Sequence, residues 1–389
     1  MAKKQMQTFK NVNEVRANLN KHYKSNALRS GSEMPRIKKV PFGEPALDYA
    51  SDGGVPIGRV SEFLGDPHTG KTRNALVAMG KWQKYCFNCW TPDVLTAEWT
   101  RDKQGDPQLV NCSCSNCSEP KTTIQAMVDI EGTCDPNFME YFGIDIDGVI
   151  YSRPDKPSQA VGIVDTLMRT NGIGLILLDS IGSMGSDKEV DTAIEDDKMN
   201  QNALFFNKAM RKWQMALNAN TNSNDGQESG TAVIIINQMY TTLDFFSKQV
   251  PQGGRGLRHG KGLSLLMAIF DKNIDPKTKE IKGVHVRVKN EKNKVGIPYR
   301  RKEYYLNLDP FADVLEYCQT NVALQYIELA IDLDIIEQKG AWFYYGSEKY
   351  QGKASLIDAF NEDIKNAVDE ILYKKDRDER KKELQSKTK

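Results

Sequence analysis

Three sets of residues in this chain have the types and spacing to do chemistry. The first is Gly65-Asp66-Pro67-His68-Thr69-Gly70-Lys71-Thr72, which fits G-x-x-x-x-G-K-[ST] without a gap. Glycines in such a loop let backbone N–H groups converge on phosphate oxygens, and a helix starting at its end adds a favourable dipole. Lys71 can reach the β- and γ-phosphates, and the Thr72 hydroxyl can bind Mg²⁺. The loop therefore reads as a cradle for ATP and its Mg²⁺.

The second set stands at the ends of apolar runs. "LILLD" ends on Asp179, the kind of strand-end carboxylate that completes a Mg²⁺ site beside a phosphate loop. "VDIEG" offers two acids, Asp129 and Glu131; a glutamate at a strand end can orient a water for attack on a γ-phosphate. "IIINQ" ends on Gln238, whose amide could register whether a γ-phosphate is present.

The third set is cysteines. Cys86-x-x-Cys89 and Cys114-x-x-Cys117 are two CxxC pairs flanking a hairpin-like stretch, and Cys112 is a spare that could replace Cys114 as ligand. Four thiolates in this arrangement suit tetrahedral Zn²⁺, and a filled Cys₄ site leaves no open position for catalysis. A structural zinc holding a ribbon that projects from the core is the expectation. The chain has 7 cysteines, an odd number, and no apolar stretch near Met1 that could serve as a signal peptide, which disfavours a disulfide scaffold. Cys134 reads as a non-ligand, and Cys318, inside a helical pattern, as a buried small hydrophobe.

These residues need a scaffold. "RVSEFLG" reads as a strand entering the phosphate loop and "KTRNALVAMGKWQKY" as the helix leaving it. "IQAMVDIEG", "IGLILLDSIG" and "TAVIIINQ" read as buried strands, with helical patterns in "AVGIVDTLMRT" and "NALFFNKAMRKWQMALNA" between them. Strands alternating with helices imply an α/β fold with a mainly parallel sheet. The expected division is an N-terminal basic helical segment (1–36), a core (37–308) with the cysteine insertion at 82–121, a small C-terminal domain (309–375) and a charged tail (376–389). Net charge is only +1, with 27% charged and 39% hydrophobic residues, so any nucleic-acid argument must come from local patches. No run is long enough to cross a bilayer, and a cytoplasmic protein is expected.

In order, "GDPHTGKT", "VDIEGTCDP", "LILLDSIG", "IIINQ" and "KNEKNKVGIPYR" resemble the RecA recombinases of bacteria, and "LDIIEQKGAWFYYGSEKYQGKA" resembles their small C-terminal domain. The resemblance runs from about Ile37 to about Phe360. It implies a RecA-like P-loop ATPase core with a small α+β C-terminal domain, in the cytoplasm of a bacterium or a phage-infected host. It also implies a helical homo-oligomeric filament on single-stranded DNA that pairs it with homologous double-stranded DNA. Glu131 falls at the catalytic glutamate, Asp135 and Phe138 at the adenine contacts, and Gln238 at the sensor coupling γ-phosphate to DNA. Lys292 and Lys294 fall on lysines that reach ATP across the filament interface; without the resemblance they read as a solvated charge run.

The resemblance also implies two DNA-binding loops. The first would carry Met199, with Arg211 on the following helix. The second, from Met239 to Gly262, would use Phe245, Phe246, Gly253, Gly254, Arg255 and Arg258: aromatics stack on bases, cations meet phosphates and glycines let the backbone approach the strand. The chain departs from the family in its cysteine insertion, whose expected contact is a replication or recombination protein, DNA or a neighbouring copy. It departs also in Asp66 and His68 of the phosphate loop and in a basic rather than acidic tail. The rival readings are a RecA-fold hexameric helicase or branch-remodelling ATPase, and an architectural protein coating single-stranded DNA with ATP as an affinity switch.

Overall fold

The computed structural model describes residues 11–23, 28, 31, 37–184, 201–223, 230–241, 249–309 and 318–374. A polar helix, α1 (Val12–Tyr23), precedes the core. The short ladder of β1 (Lys39–Val40) and β2 (Val55–Pro56) brackets α2 (Pro45–Ser51). β3 (Val60–Gly65) then enters the phosphate loop, and α3 (Lys71–Gln83) leaves it. The cysteine insertion supplies β4 (Leu95–Arg101) and β5 (Pro107–Cys114), paired as an antiparallel hairpin.

The core resumes with β6 (Ile124–Asp129), α4 (Pro136–Tyr141), β7 (Val149–Ser152), α5 (Pro157–Arg169), β8 (Ile173–Asp179) and α6 (Gln201–Ser223). It continues through β9 (Ala232–Asn237), β10 (Met239–Thr241), β11 (Gln249–Pro251), α7 (Gly254–Gly260), β12 (Leu263–Ile274), β13 (Ile281–Asn293) and β14 (Arg301–Asn307). α8 (Val322–Asp332), a three-stranded meander of β15 (Glu337–Lys339), β16 (Trp342–Tyr345) and β17 (Glu348–Gln351), α9 (Gly352–Asp358) and α10 (Glu362–Asp369) follow.

Eight strands form one sheet in the order β14-β13-β12-β3-β9-β8-β6-β7. The run from β12 to β7 is parallel, and β13 and β14 close one edge antiparallel. β3, β8 and β9 are buried at every position; the near-continuous apolar runs "IGLILLD" and "AVIIIN" suit strands covered on both faces, and β3 is buried with Ser61 and Glu62 inside it. One face packs on α2 and α3 around Phe42, Leu76 and Trp82. The other packs on α5 and α6 around Met168 and Trp213, whose indole donates to the Val161 carbonyl at 3.2 Å. This layering sets the phosphate loop, Asp179 and Gln238 at the same end of neighbouring parallel strands, where open α/β sheets bind ligands.

A third apolar cluster gathers Ile327, Leu329, Phe343, Leu356 and Ile364. Two details differ from expectation. Cys318 lies in a turn at φ 57° rather than in a helix; α8 starts only after Asn321, whose side chain caps Leu324 N–H at 2.8 Å. The insertion's hairpin also does not project free. Arg101 donates to the carbonyls of Ile146 (2.5 Å) and Val149 (3.1 Å) and to Asp147 (3.0 Å), so the ribbon lies against the start of the edge strand β7. Among the described residues no helix is long and apolar enough to cross a membrane.

Candidate nucleotide site and nucleic-acid interface

The phosphate loop departs from β3 at Gly65, where a Cβ would lie 2.1 Å from the Met267 carbonyl of β12; only glycine fits this close approach. Asp66, Pro67 and His68 form its exposed crest, with His68 at φ 63°. Thr69 is buried and its hydroxyl donates to the Asp66 carbonyl at 2.9 Å. Gly70, at φ 80°, turns the chain into α3. Lys71 folds under the loop and donates to the carbonyls of Gly65 (2.9 Å) and Asp66 (2.6 Å). Burial lowers the affinity of its amine for a proton, and Asp179, Asp66 and Glu131 oppose that shift.

Thr72 donates its hydroxyl to Asp179 Oδ2 at 2.7 Å, so the two side chains expected to serve one Mg²⁺ meet across α3 and β8. Burial pushes the Asp179 carboxyl up to about 6, with Glu131 and Asp129 adding to the shift and Thr72 and Lys71 opposing it. A hydroxyl and a hard carboxylate, held together at a buried strand end, are the donor chemistry Mg²⁺ prefers.

Of the two acids in "VDIEG", the geometry separates the roles. Asp129 is fully enclosed: its carboxylate accepts from Gly132 N–H (2.8 Å), Cys134 N–H (3.0 Å) and the Tyr151 hydroxyl (3.0 Å), and it shapes the turn that presents its neighbour. Glu131 lies within that turn. Its Oε1 accepts from Ser180 Oγ at 2.5 Å and Ser183 Oγ at 2.8 Å, with Gln238 Nε2 at 3.5 Å. Asp135 caps α4, accepting from Asn137 N–H (2.8 Å) and Phe138 N–H (3.3 Å). Phe138 stands half-buried, edge-on to Phe142 at 4.8 Å between ring centroids.

The segment after Gln238 is pinched at its neck by the β10–β11 ladder, which pairs Met239 with Pro251. Gly253, at φ 90°, opens α7, and Gly254 is its first residue. α7 packs closely on α6: a Cβ at Gly256 would collide with Asn207. Arg211 on α6 and Arg258 on α7 are both exposed. Lys292 and Lys294, on β13 and just past it, spend their ammonium groups on the end of α7. Lys292 donates to the carbonyls of Arg258 (2.5 Å) and His259 (3.2 Å), and Lys294 to that of His259 (2.6 Å). Partial burial, Lys294 and Lys261 push the Lys292 amine down to about 8. Met199, Phe245 and Phe246 lie outside the described residues, as does the side chain of Arg255.

The family model for the RecA N-terminal domain matches residues 104–309, more than half of the chain. The chain belongs to the RecA family. It is 28% identical over 358 residues to Protein RecA of Cutibacterium acnes, covering 90% of this chain and 87% of that protein. It is 28% identical over 369 residues to Protein RecA of Chlorobaculum parvum (92% and 90%), and 28% over 351 residues to Protein RecA of Mesomycoplasma hyopneumoniae (89% and 88%).

Within this RecA-family core the cysteine insertion begins where α3 ends. The sulfur atoms of Cys86, Cys89, Cys114 and Cys117 all lie within 4.8 Å of one another, a group that could hold a metal ion. Cys86 and Cys117 are 3.6 Å apart, and Cys89 and Cys114 3.7 Å. Zn–S bonds of about 2.3 Å set the edges of a tetrahedron at about 3.8 Å, so the four thiols fit zinc. Cys112 is not in that group. Cys134 packs on the core instead. Tyr85, Phe87 and Trp90 pack on one another around the first cysteine pair, and Trp82 of α3 meets Phe87 at 5.5 Å, tying the module to the phosphate-loop helix.

Sequence reasoning missed the two hydroxyls that hold Glu131 and a buried network behind the phosphate-loop helix. Ser180 and Ser183 were hidden because hydroxyls after a strand end carry no spacing signal. Arg73 was hidden because it reads as a surface residue of an amphipathic helix. It turns inward instead, pairs with buried Glu44, and donates to the Cys318 carbonyl at 2.9 Å. Glu44 also accepts from Thr320 (2.8 Å) and Gln325 (2.9 Å), joining α3 to the segment that leads into α8.

Proposed function

We propose that this protein is an ATP-dependent recombinase that forms a helical filament on single-stranded DNA and pairs it with homologous double-stranded DNA. The observation that carries the reading is the convergence of Lys71, Thr72–Asp179, Glu131 and Gln238 on one sheet edge, with a glycine-rich basic loop leaving directly from Gln238. The naming of its relatives as Protein RecA supports it further.

In this reading the residues of the phosphate loop, 65–72, bind the triphosphate by backbone N–H groups, and Asp135 and Phe138 flank the base. Thr72 and Asp179 hold Mg²⁺, which when bound neutralises charge on the phosphate oxygens. Glu131 orients the attacking water and takes its proton; Ser180 and Ser183 leave the carboxylate one settled orientation. Lys71 stabilises charge developing on the γ-phosphate. Lys292 and Lys294 act on the nucleotide of an adjacent protomer, which ties hydrolysis to polymerisation. Met199, Arg211, Phe245, Phe246, Gly253, Gly254, Arg255 and Arg258 contact DNA.

Cys86, Cys89, Cys114 and Cys117 hold a structural Zn²⁺ in an insertion at 82–121. The division into an N-terminal segment (1–36), core (37–308), C-terminal domain (309–375) and tail (376–389), and a cytoplasmic location, belong to the same reading.

The deciding experiment combines electron microscopy with single-stranded DNA and an ATP analogue with an assay of strand exchange. Helical filaments that exchange strands are expected. Closed rings that unwind duplex would replace the reading with a helicase, and filaments without exchange would replace it with an architectural coat.

A further inference from the structure

Gln238 can report on the γ-phosphate only if its backbone is fixed, and the structure holds it from behind with buried residues that are not among the proposed nucleotide or DNA contacts. The Gln238 N–H donates to the side-chain oxygen of Asn237 at 2.8 Å. The Asn237 amide in turn donates to Glu62 Oε1 at 2.9 Å and to the Gln252 carbonyl at 3.1 Å. Both ends of this side chain are thus engaged, and it is fully buried. Glu62, at mid-strand in β3 and also fully buried, accepts at its other oxygen from Lys261 Nζ and from Ser264 Oγ at 2.6 Å. Lys261 is 4% exposed and follows directly on α7, its backbone N–H closing on the Leu257 carbonyl at 3.3 Å.

A buried carboxylate is tolerated only with a cation and well-placed donors, so Glu62, Asn237 and Lys261 must move together or not at all. One end of the chain is the residue beside Glu131. The other is the last turn of α7, whose carbonyls also receive Lys292 and Lys294.

We infer that Glu62, Asn237 and Lys261 are positioning residues that make Gln238 and α7 one mechanical unit, so that occupancy of the second loop is felt at Glu131. The relay rests on the proposed function above, since it transmits a DNA signal to a hydrolytic site. It adds that the transmission runs through a buried ion pair rather than through the loop backbone alone.

The test is ATP hydrolysis by the full chain with and without single-stranded DNA. Lys261→Met is expected to leave the DNA-free rate and the KM for ATP unchanged while cutting the stimulation by DNA about tenfold, and Lys261→Arg to restore most of it. Lys261→Met leaves Glu62 buried and uncompensated, so a Glu62→Gln/Lys261→Met protein is the companion: with no charge left unpaired it folds, and its stimulation is still lost. A double variant with wild-type thermal stability and undiminished stimulation overturns the relay while leaving the recombinase reading intact. Wild-type protein that hydrolyses ATP with no response to DNA overturns that reading, and the relay with it.

Discussion

Glu131 Oε1 accepts from Ser180 and Ser183 on one side and has Gln238 Nε2 3.5 Å away on the other. One carboxylate oxygen therefore carries these contacts, and in the proposed function the second addresses a water. Replacing Glu131 by Gln keeps the size and two of the contacts but removes the proton acceptor. Hydrolysis stimulated by single-stranded DNA is expected to fall by about a hundredfold or more, with nucleotide binding retained. Steady-state phosphate release set beside binding of a fluorescent ATP analogue checks both halves. Unchanged hydrolysis would move the water-orienting role elsewhere.

The four insertion thiols make a prediction about metal content. Metal analysis of purified protein should give one zinc per chain, and Cys86→Ser should lose it, because three thiolates and a hydroxyl bind zinc far more weakly than four thiolates. Cys112→Ser should keep it. Zinc binding energy is folding energy for a module with this little core, so chelation should expose the 82–121 segment to protease before the rest of the chain. Retention of zinc in Cys86→Ser would remove Cys86 from the ligand set.

What could be read beforehand divides along physical lines. The phosphate loop, the Asp179 strand end and the paired cysteines were legible because each is a local spacing with one chemical use. The choice between Cys112 and Cys114 was not. They stand two residues apart on β5, opposite Ala97 and Leu95, and so share a face; only distance along the strand separates them. The contacts of Lys292 and Lys294 with the end of α7 were equally hidden, since they join segments far apart in the chain. Glu62 was read only as part of a strand, yet it is the hub of a buried network. Long-range pairings of this kind leave no periodicity behind.

Asp48 in α2 gives a pH dependence. Its carboxylate is fully buried and accepts from Phe42 N–H (2.6 Å), Gly43 N–H (3.3 Å) and the Tyr373 hydroxyl (3.0 Å), the last from the far end of the chain. Burial outweighs those hydrogen bonds and raises its pKa from 3.8 to about 7. The folded protein therefore binds a proton that the unfolded chain releases, and this group's contribution to stability declines as pH rises from about 4 to about 7. The full span is on the order of 4 kcal/mol. Against Asp48→Asn, which cannot ionise, wild type should lose ground steadily across that range in thermal unfolding. A constant difference between the two would show that Asp48 does not titrate there.

Arg211 on α6 and Arg258 on α7 are exposed on two helices packed against each other, the arrangement expected if both meet one phosphate backbone. Each phosphate contact releases condensed counterions, so removing one should weaken binding to single-stranded DNA and flatten its salt dependence. For Arg211→Ala or Arg258→Ala the slope of log K against log salt should become shallower by about 0.7. The loss should be nearly the same on homopolymers of different base, because a phosphate contact carries no sequence information. Arg258 carries a second consequence. Its carbonyl receives Lys292, and a backbone group survives the alanine substitution, so DNA-free hydrolysis should be unaffected. Fluorescence anisotropy across a salt series measures the slope; an unchanged slope in either variant would take that arginine off the DNA path.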